Sequence, residues 1–367
     1  MGTITNDTAV SAIEADTIPS SELVALRAYA RCVERGVSEH DPVSDGLAAE
    51  PEVHSQMKRS ARTSQGVEPN IGGGRTTAHR WAVVLAGGDG ERLAEFTRDA
   101  HGRAVPKQYC SFGEPTPMVR WAIARAQRLA SRDRVLVVVN EAHRRFWERE
   151  LCDIPRENLL VQPSNRGTAN GMLFAVLEVQ ARGGTAAPML MLPSDHFVAD
   201  EDALHQSLLT ALDAAARSNG GSMFLLGMEP TAHDAEYGWI LPATGEAVTG
   251  VRHFQEKPSA EQVRQLVSSG ALINSFIIVA HAHTMVGLFS DTLPGVLQSF
   301  RGCLSQSPPT TSLPQLYERL PRADFSRDVL ERSTPFLNVV RVAPCGWSDL
   351  GTPARLQHFM AQGGQAA

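Results

Sequence analysis

From Trp81 onward the chain alternates uninterrupted apolar runs with helical stretches, and few folds accept that pattern. Trp81-Ala-Val-Val-Leu-Ala86 stops at glycines; Arg134-Val-Leu-Val-Val-Val-Asn140, Leu159-Leu-Val161, Met189-Leu-Met-Leu192 and Met223-Phe-Leu-Leu226 follow. Runs without polar alternation mark strands covered on both faces. Residues 118–130, 142–151, 171–181 and 201–216 read as the helices between them. Strand alternating with helix predicts βαβ units and a doubly wound, mostly parallel sheet between helices. Beyond Glu236, shorter strands at residues 251–256 and 276–279 mix with helices at residues 260–269 and 314–320. No internal repeat is visible.

The first 79 residues have a different texture. Residues 20–36 read as one amphipathic helix: Ser20 or Ser21 caps it, Leu23, Leu26, Ala30 and Val33 form a stripe, and Gly36 ends it. Residues 37–79 are rich in Ser, Glu, Gly, Pro and Arg. Such a stretch buries too little to offset its ordering entropy, so disorder is expected. The extension reads as dispensable, with a partner-binding role as the alternative. The domain boundaries predicted are therefore 1–79 for the extension and 80–360 for the folded domain.

Bulk properties exclude several classes. The 367 residues carry a formal net charge of −6, which argues against a nucleic-acid coat but not against a nucleotide pocket. The five cysteines are scattered without zinc-ligand spacing and read as reduced thiols of a cytoplasmic protein. No apolar run reaches the roughly 20 residues that span a bilayer, and no secretory leader is visible. Neither nucleic acid nor membrane is expected as a partner.

In an open α/β sheet, ligands sit outside the carboxyl ends of the strands. The loop after Ala86 carries Gly87, Gly88 and Gly90, which let backbone N–H groups approach a phosphate, and Arg92 adds a cation. Alone, this loop reads equally as a tight strand-to-helix turn. It is neither a Walker loop nor a dinucleotide fingerprint. Lys107 follows Pro106 and can point across the same crevice. Asp195, in Pro193-Ser-Asp-His196, stands at a strand end where a carboxylate can hold a hard cation. His196 reads as structural, since neutral imidazole is a poor partner for magnesium.

Taken together, Leu85-Ala-Gly-Gly-x-Gly-x-Arg-Leu93 and Pro106-Lys-Gln-Tyr109 resemble the sugar-phosphate nucleotidyltransferase superfamily, most closely its mannose-1-phosphate guanylyltransferases. Further segments agree in order: Gln162-Pro-Ser-Asn-Arg-Gly-Thr-Ala169, Leu192-Pro-Ser-Asp-His196, Glu236-Tyr-Gly-Trp-Ile240, Phe254-Gln-Glu-Lys-Pro258, Asn274-Ser-Phe276, Asp324-Phe-Ser-Arg-Asp-Val329 and Trp347-Ser-Asp-Leu-Gly351. The likeness runs from about Trp81 to Pro353.

The resemblance implies a Rossmann-like, GT-A-like α/β domain with a mixed sheet. It implies a reaction of a nucleoside triphosphate, GTP first, with a sugar-1-phosphate, mannose-1-phosphate first, to give a nucleotide-sugar and pyrophosphate. Arg92, Lys107 and Asp195 would be catalytic. Leu85, Ala86, Gly87, Gly88, Gly90, Arg92, Lys107, Gln162, Gly167 and Thr168 would bind the nucleotide, and Gly238, Glu256, Lys257 and Asn274 the sugar phosphate. Asp195 and Asp349 would hold Mg2+; by its own residues Asp349 reads as a turn or cap. Four departures stand out: Glu91 inside the glycine loop, expected to face away from the phosphates, Ile273 where the family often has Trp, the wording of residues 162–169, and the stretch of residues 98–105 before the lysine. UTP or glucose-1-phosphate is the alternative within the enzyme class, and a nucleotide-sugar binder without turnover is the alternative outside it. A cupin-type isomerase domain or a long β-helical tail is not expected after residue 353, and a homo-oligomer stays open.

Overall fold

The computed structural model describes residues 79–99, 101–112, 115–218, 220–304 and 311–361. The expected helix at residues 20–36 and nearly all of the extension lie outside the described residues. The elements that follow belong to one compact unit, residues 75–150 and 156–367.

Each uninterrupted apolar run is a strand. β1 (Trp81–Ala86), β2 (Val135–Asn140), β3 (Leu159–Gln162), β4 (Pro188–Pro193) and β5 (Met223–Met228) are followed by β6 (Gly238–Pro242), β7 (Val248–Glu256), β8 (Leu272–His281) and β9 (Leu337–Arg341). Among the described residues they form one nine-stranded sheet, ordered β3-β2-β1-β4-β8-β5-β9-β7-β6. β3, β2, β1 and β4 are mutually parallel. β8 runs antiparallel to both β4 and β5, while β5 and β9 are parallel. β6 and β7 are antiparallel, and β6 returns to pair with β8, so the second half closes back on itself. The sheet is mixed, as expected: its continuous parallel block is β3-β2-β1-β4, and the rest is antiparallel apart from the β5–β9 pair. An apolar run reports burial on both faces, not strand direction, and the antiparallel β8 carries an apolar run of its own at residues 276–280.

The helices alternate with the strands. α1 (Met118–Gln127) and α2 (Arg144–Glu150) flank β2, α3 (Thr168–Gly183) follows β3, and α4 (Glu201–Arg217) follows β4. Asp200 caps α4 by accepting from the Ala203 N–H at 2.9 Å, with Glu201 and Asp202 in the first turn favoured by the helix dipole. α5 (Ala260–Ser268) starts with a Ser259–Gln262 capping box. α6 (Ala282–Thr292), α7 (Pro294–Leu304), α8 (Leu313–Arg319), α9 (Phe325–Asp328) and α10 (Pro353–Ala361) complete the unit. A large core joins β1, β4, β5 and β8 to α3, α6, α7 and α9. A smaller cluster of Leu93, Met118, Phe197, Leu350, Leu356 and Phe359 anchors the loops around the cleft described below.

The thiol reading needs one correction. Cys110, Cys303 and Cys345 are free, but Cys152 is disulfide-bonded. A disulfide needs two Cβ atoms brought within about 4 Å, which spacing along a chain does not report. Among the described residues no helix is long and apolar enough to cross a membrane.

Candidate active site

A cleft of about 530 Å³ opens at the carboxyl ends of β1, β3 and β4. The glycine loop forms one wall, and the site is built outward from it. The Gln108 side-chain amide donates to the Ala86 and Gly88 carbonyls, at 2.9 Å each. Those two carbonyls are thereby turned toward Gln108. Asp89 fixes the loop from the other side. It accepts from Asn140 Nδ2 at 3.3 Å and Asn165 Nδ2 at 2.7 Å, and lies 3.3 Å from His143 Nε2. Gly90 takes φ +66° to start the short helix Glu91–Leu93. Glu91 is exposed and lines the rim of the cleft, so burial does not turn it away.

The floor carries charge. Lys107 is 5 % exposed, and its Nζ lies 2.8 Å from Asp195 Oδ2 while donating to the Asp349 carbonyl. Burial alone would raise the Asp195 carboxyl; the Lys107 ammonium outweighs it and holds the carboxyl below its usual range. Asp195 keeps 35 % of its side chain open, facing the cleft. Burial pushes the neighbouring His196 down to about 4, against the pull of Asp195. Its Nδ1 accepts from the Trp347 indole N–H at 3.2 Å, so His196 is neutral and structural, as read.

Asp349 stands apart from the cleft lining. Its carboxylate accepts from the Tyr237 hydroxyl at 3.1 Å and the Gly351 N–H at 3.0 Å, and pairs with Arg355 Nε at 2.9 Å. Arg355 also pairs with Asp234 and lies 4.3 Å over the Tyr237 ring. Among the described residues no three or more His, Cys, Asp or Glu side chains gather to hold a metal ion by themselves.

The residues expected on the sugar side form a second cluster, outside the lining of this cleft. A Cβ on Gly238 would stand 2.6 Å from Glu256 Oε2 and 3.4 Å from Asn274 Cβ, so these three meet. Asn274 is 8 % exposed and its Oδ1 accepts from the Phe276 N–H at 3.1 Å. Lys257 and Arg92 converge on one carboxylate: Glu236 Oε2 is 3.8 Å from Lys257 Nζ and 3.0 Å from Arg92 NH1. Lys257 and Phe276 adopt φ +48° and +59°, a region costing a non-glycine residue about 1–2 kcal/mol.

Burial raises the Glu256 carboxyl to about 7, helped by Asp324 and opposed by Lys257 and a Ser326 hydrogen bond. A carboxyl raised by folding adds stability below its unfolded value, and that contribution is lost as pH rises through the folded value. Wild-type stability relative to Glu256→Gln should therefore fall between about pH 4.5 and pH 7 and level off above. Urea midpoints at half-unit pH steps read this directly; a difference that stays flat across the window rules it out.

Of the ten residues expected to bind the nucleotide, nine line the cleft, namely Leu85, Gly87, Gly88, Gly90, Arg92, Lys107, Gln162, Gly167 and Thr168, and Asp195 joins them there. Ala86 lies behind it, its carbonyl accepting from the Gln108 side-chain amide. Thr168 Oγ1 is engaged, accepting from the Phe325 N–H at 2.8 Å. Four participants were not singled out by sequence. Gln108 and Asp89 sit inside quoted motifs and were legible in principle. Phe276, an aromatic side chain on the lining, also sits inside a quoted motif, whereas Arg322, an exposed cation on the lining, has no local signal.

A sheet of this topology, with a glycine loop after β1 and a lysine–carboxylate pair beyond β4, defines a Rossmann-like α/β protein whose cleft lies where such sheets bind ligands. The chain belongs to the nucleotidyl transferase family, whose model matches residues 81–363. It is 27 % identical over 290 residues to the xanthan biosynthesis protein XanB of Xanthomonas campestris pv. campestris, covering 77 % of this chain and 60 % of that one. It is 28 % identical over 297 residues to the mannose-1-phosphate guanylyltransferase of Escherichia coli K12, again covering 77 % and 60 %. A crystal structure from Thermus thermophilus, called a mannose-1-phosphate geranyltransferase, superposes with a TM-score of 0.65 at 30 % identity, over 74 % of this chain and 76 % of that one. The chain thus spans about 60 % of the length of the curated relatives it matches.

Proposed function

We propose that the chain transfers a nucleotidyl group from a nucleoside triphosphate to a sugar-1-phosphate, with GTP and mannose-1-phosphate as the pair. The observation that carries this reading is the Lys107–Asp195 pair on the floor of a cleft walled by the glycine loop. The names of the Escherichia coli and Thermus thermophilus relatives support the choice of sugar, and the former that of base.

In the reaction, an oxygen of the sugar-1-phosphate attacks the α-phosphorus of the triphosphate. The bond from that phosphorus to the bridging oxygen breaks, and pyrophosphate leaves with its electron pair. The attacking oxygen is already anionic near neutrality, so no general base is required. Positioning and charge neutralisation do the rest. Lys107 counters the triphosphate from the floor, Arg92 from the loop, and Lys257 counters the sugar phosphate. Glu236 holds Arg92 and Lys257 near each other before substrate arrives.

The cleft lining carries Arg92, Lys107 and Arg322 against Asp89, Glu91, Asp195 and Asp324, one more carboxylate than cation. Such a lining cannot neutralise a triphosphate unaided. Magnesium takes one or two carboxylates plus phosphate oxygens, and the open face of Asp195 fits that role. Asp349 is the second candidate, and would have to exchange Arg355 for the ion. When bound, magnesium would supply positive charge to the phosphate oxygens.

The test is pyrophosphate release with the four common triphosphates against mannose-, glucose- and galactose-1-phosphate, with magnesium. GTP with mannose-1-phosphate should be fastest. Release with UTP and glucose-1-phosphate instead would reassign base and hexose, and no release with any pair would end the catalytic reading.

A further inference from the structure

Gln162 closes β3 and is 5 % exposed, yet it lines the cleft. Its amide is held between two glycine backbones. A Cβ on Gly87 would stand 2.4 Å from Gln162 Nε2, and one on Gly171 would stand 2.9 Å from Gln162 Oε1. Only glycines leave room for the side chain there. Behind it lies Tyr317 on α8, 1 % exposed and packed edge-on against Phe300 at 5.9 Å. The Tyr317 hydroxyl is buried, and its proton needs an acceptor. It donates to Gln162 Oε1 at 3.3 Å.

That bond settles which way the amide faces. A buried hydroxyl left without an acceptor costs about 1–3 kcal/mol, so Oε1 must face Tyr317 and the NH2 must face the other way. The Nε2 group lies on the Gly87 side, at the wall of the cleft. A fixed donor at a nucleotide pocket wants a carbonyl oxygen opposite it and is mismatched against an exocyclic amino group. Guanine presents an O6 acceptor where adenine presents an N6 donor.

We infer that Tyr317 is a positioning residue for base selection: it locks the Gln162 amide with its NH2 toward the cleft, so that the pocket favours a ring carbonyl over a ring amino group. This rests on the reading of the cleft as a triphosphate site. Tyr317 touches no substrate, and its contact spans 155 positions of the chain. Removing its hydroxyl frees the amide to rotate and present its oxygen. A site built around a fixed hydrogen bond loses discrimination when that polarity is lost.

The test is equilibrium binding of GTP and ATP by calorimetry, with magnesium present and no sugar phosphate, so turnover is not needed. Wild type should bind GTP about tenfold or more tightly than ATP. Tyr317→Phe should weaken GTP about five- to tenfold and leave ATP within twofold. Gln162→Glu, which keeps the size and removes the donor, should shift the ratio the same way and serves if Tyr317→Phe does not fold. Equal losses for both nucleotides, or a ratio unchanged in either folded variant, overturn the inference. Wild type that binds neither triphosphate overturns instead the reading of the cleft on which it rests.

Discussion

Asp195→Asn is expected to lower turnover by about 100-fold or more, the scale of removing one electrostatic contact to the reacting phosphates. The carboxylate is the open member of a pair whose other half, Lys107, is buried on the cleft floor. Replacing it with an amide removes a negative charge that steadies Lys107 and that, in the proposed reaction, would offer oxygen to magnesium. Lys107 keeps the Asp349 carbonyl, so the fold should survive with a loss of about 1–3 kcal/mol. Two measurements separate the roles: pyrophosphate release against magnesium concentration, and the melting temperature. Near-normal turnover at ordinary magnesium would remove Asp195 from the machinery. A fall in melting temperature with full activity would make the pair purely structural.

Gly167→Ala should cost about 3 kcal/mol or more of stability, a shift of roughly 6 °C or more in melting temperature. Gly167 precedes α3 with φ +88° and ψ 166°, a region essentially reserved for glycine. An added Cβ would lie 2.2 Å from the Ala323 carbonyl oxygen and 2.9 Å from its carbon. That backbone cannot retreat easily, because Ala169 N–H donates to the same carbonyl at 3.1 Å and Ala323 N–H to Arg166 at 3.1 Å. Nucleotide affinity should drop along with stability, since Gly167 and Arg322 line one wall of the cleft. An unchanged melting temperature would mean that residues 321–324 do not pack where they are described.

Much of the first half of the fold was legible because both-face burial writes itself into sequence as unbroken apolar runs. β6 and β9 were missed: Gly238-Trp-Ile-Leu-Pro242 is bounded by glycine and proline, and Leu337-Asn-Val-Val-Arg341 is broken by an asparagine. α6 and α7 were missed because Ala282–Thr292 continues the apolar texture of β8 and a leucine–proline step is all that divides the two helices. The glycine loop and Asp195 were legible as cleft residues because they directly follow β1 and β4, where the fold rule places ligands, while Lys107 reaches the same cleft from the segment after Pro106. The occupancy of those groups was not. Nothing near Asp349 in the chain states that Tyr237, 112 positions away, donates to its carboxylate. Equally, Asn274 read as a ligand, yet its oxygen holds the Phe276 amide in its left-handed turn. The cysteine reading failed for a related reason, since pairing is a matter of distance in space.

β8 is antiparallel to β4 on one side and β5 on the other, and it also meets β6. The strand that ends beside Asp195 and the strands that carry Gly238 and Glu256 are thus stitched into one continuous ladder. Such a lattice acts as a fixed caliper. The halves cannot swing toward each other like jaws, so the span between the Asp195 end and the Gly238–Glu256 end is a property of the sheet itself. Under the proposed reaction, substrates would be measured against that span, and what fine adjustment remains belongs to side chains and loops at the strand ends.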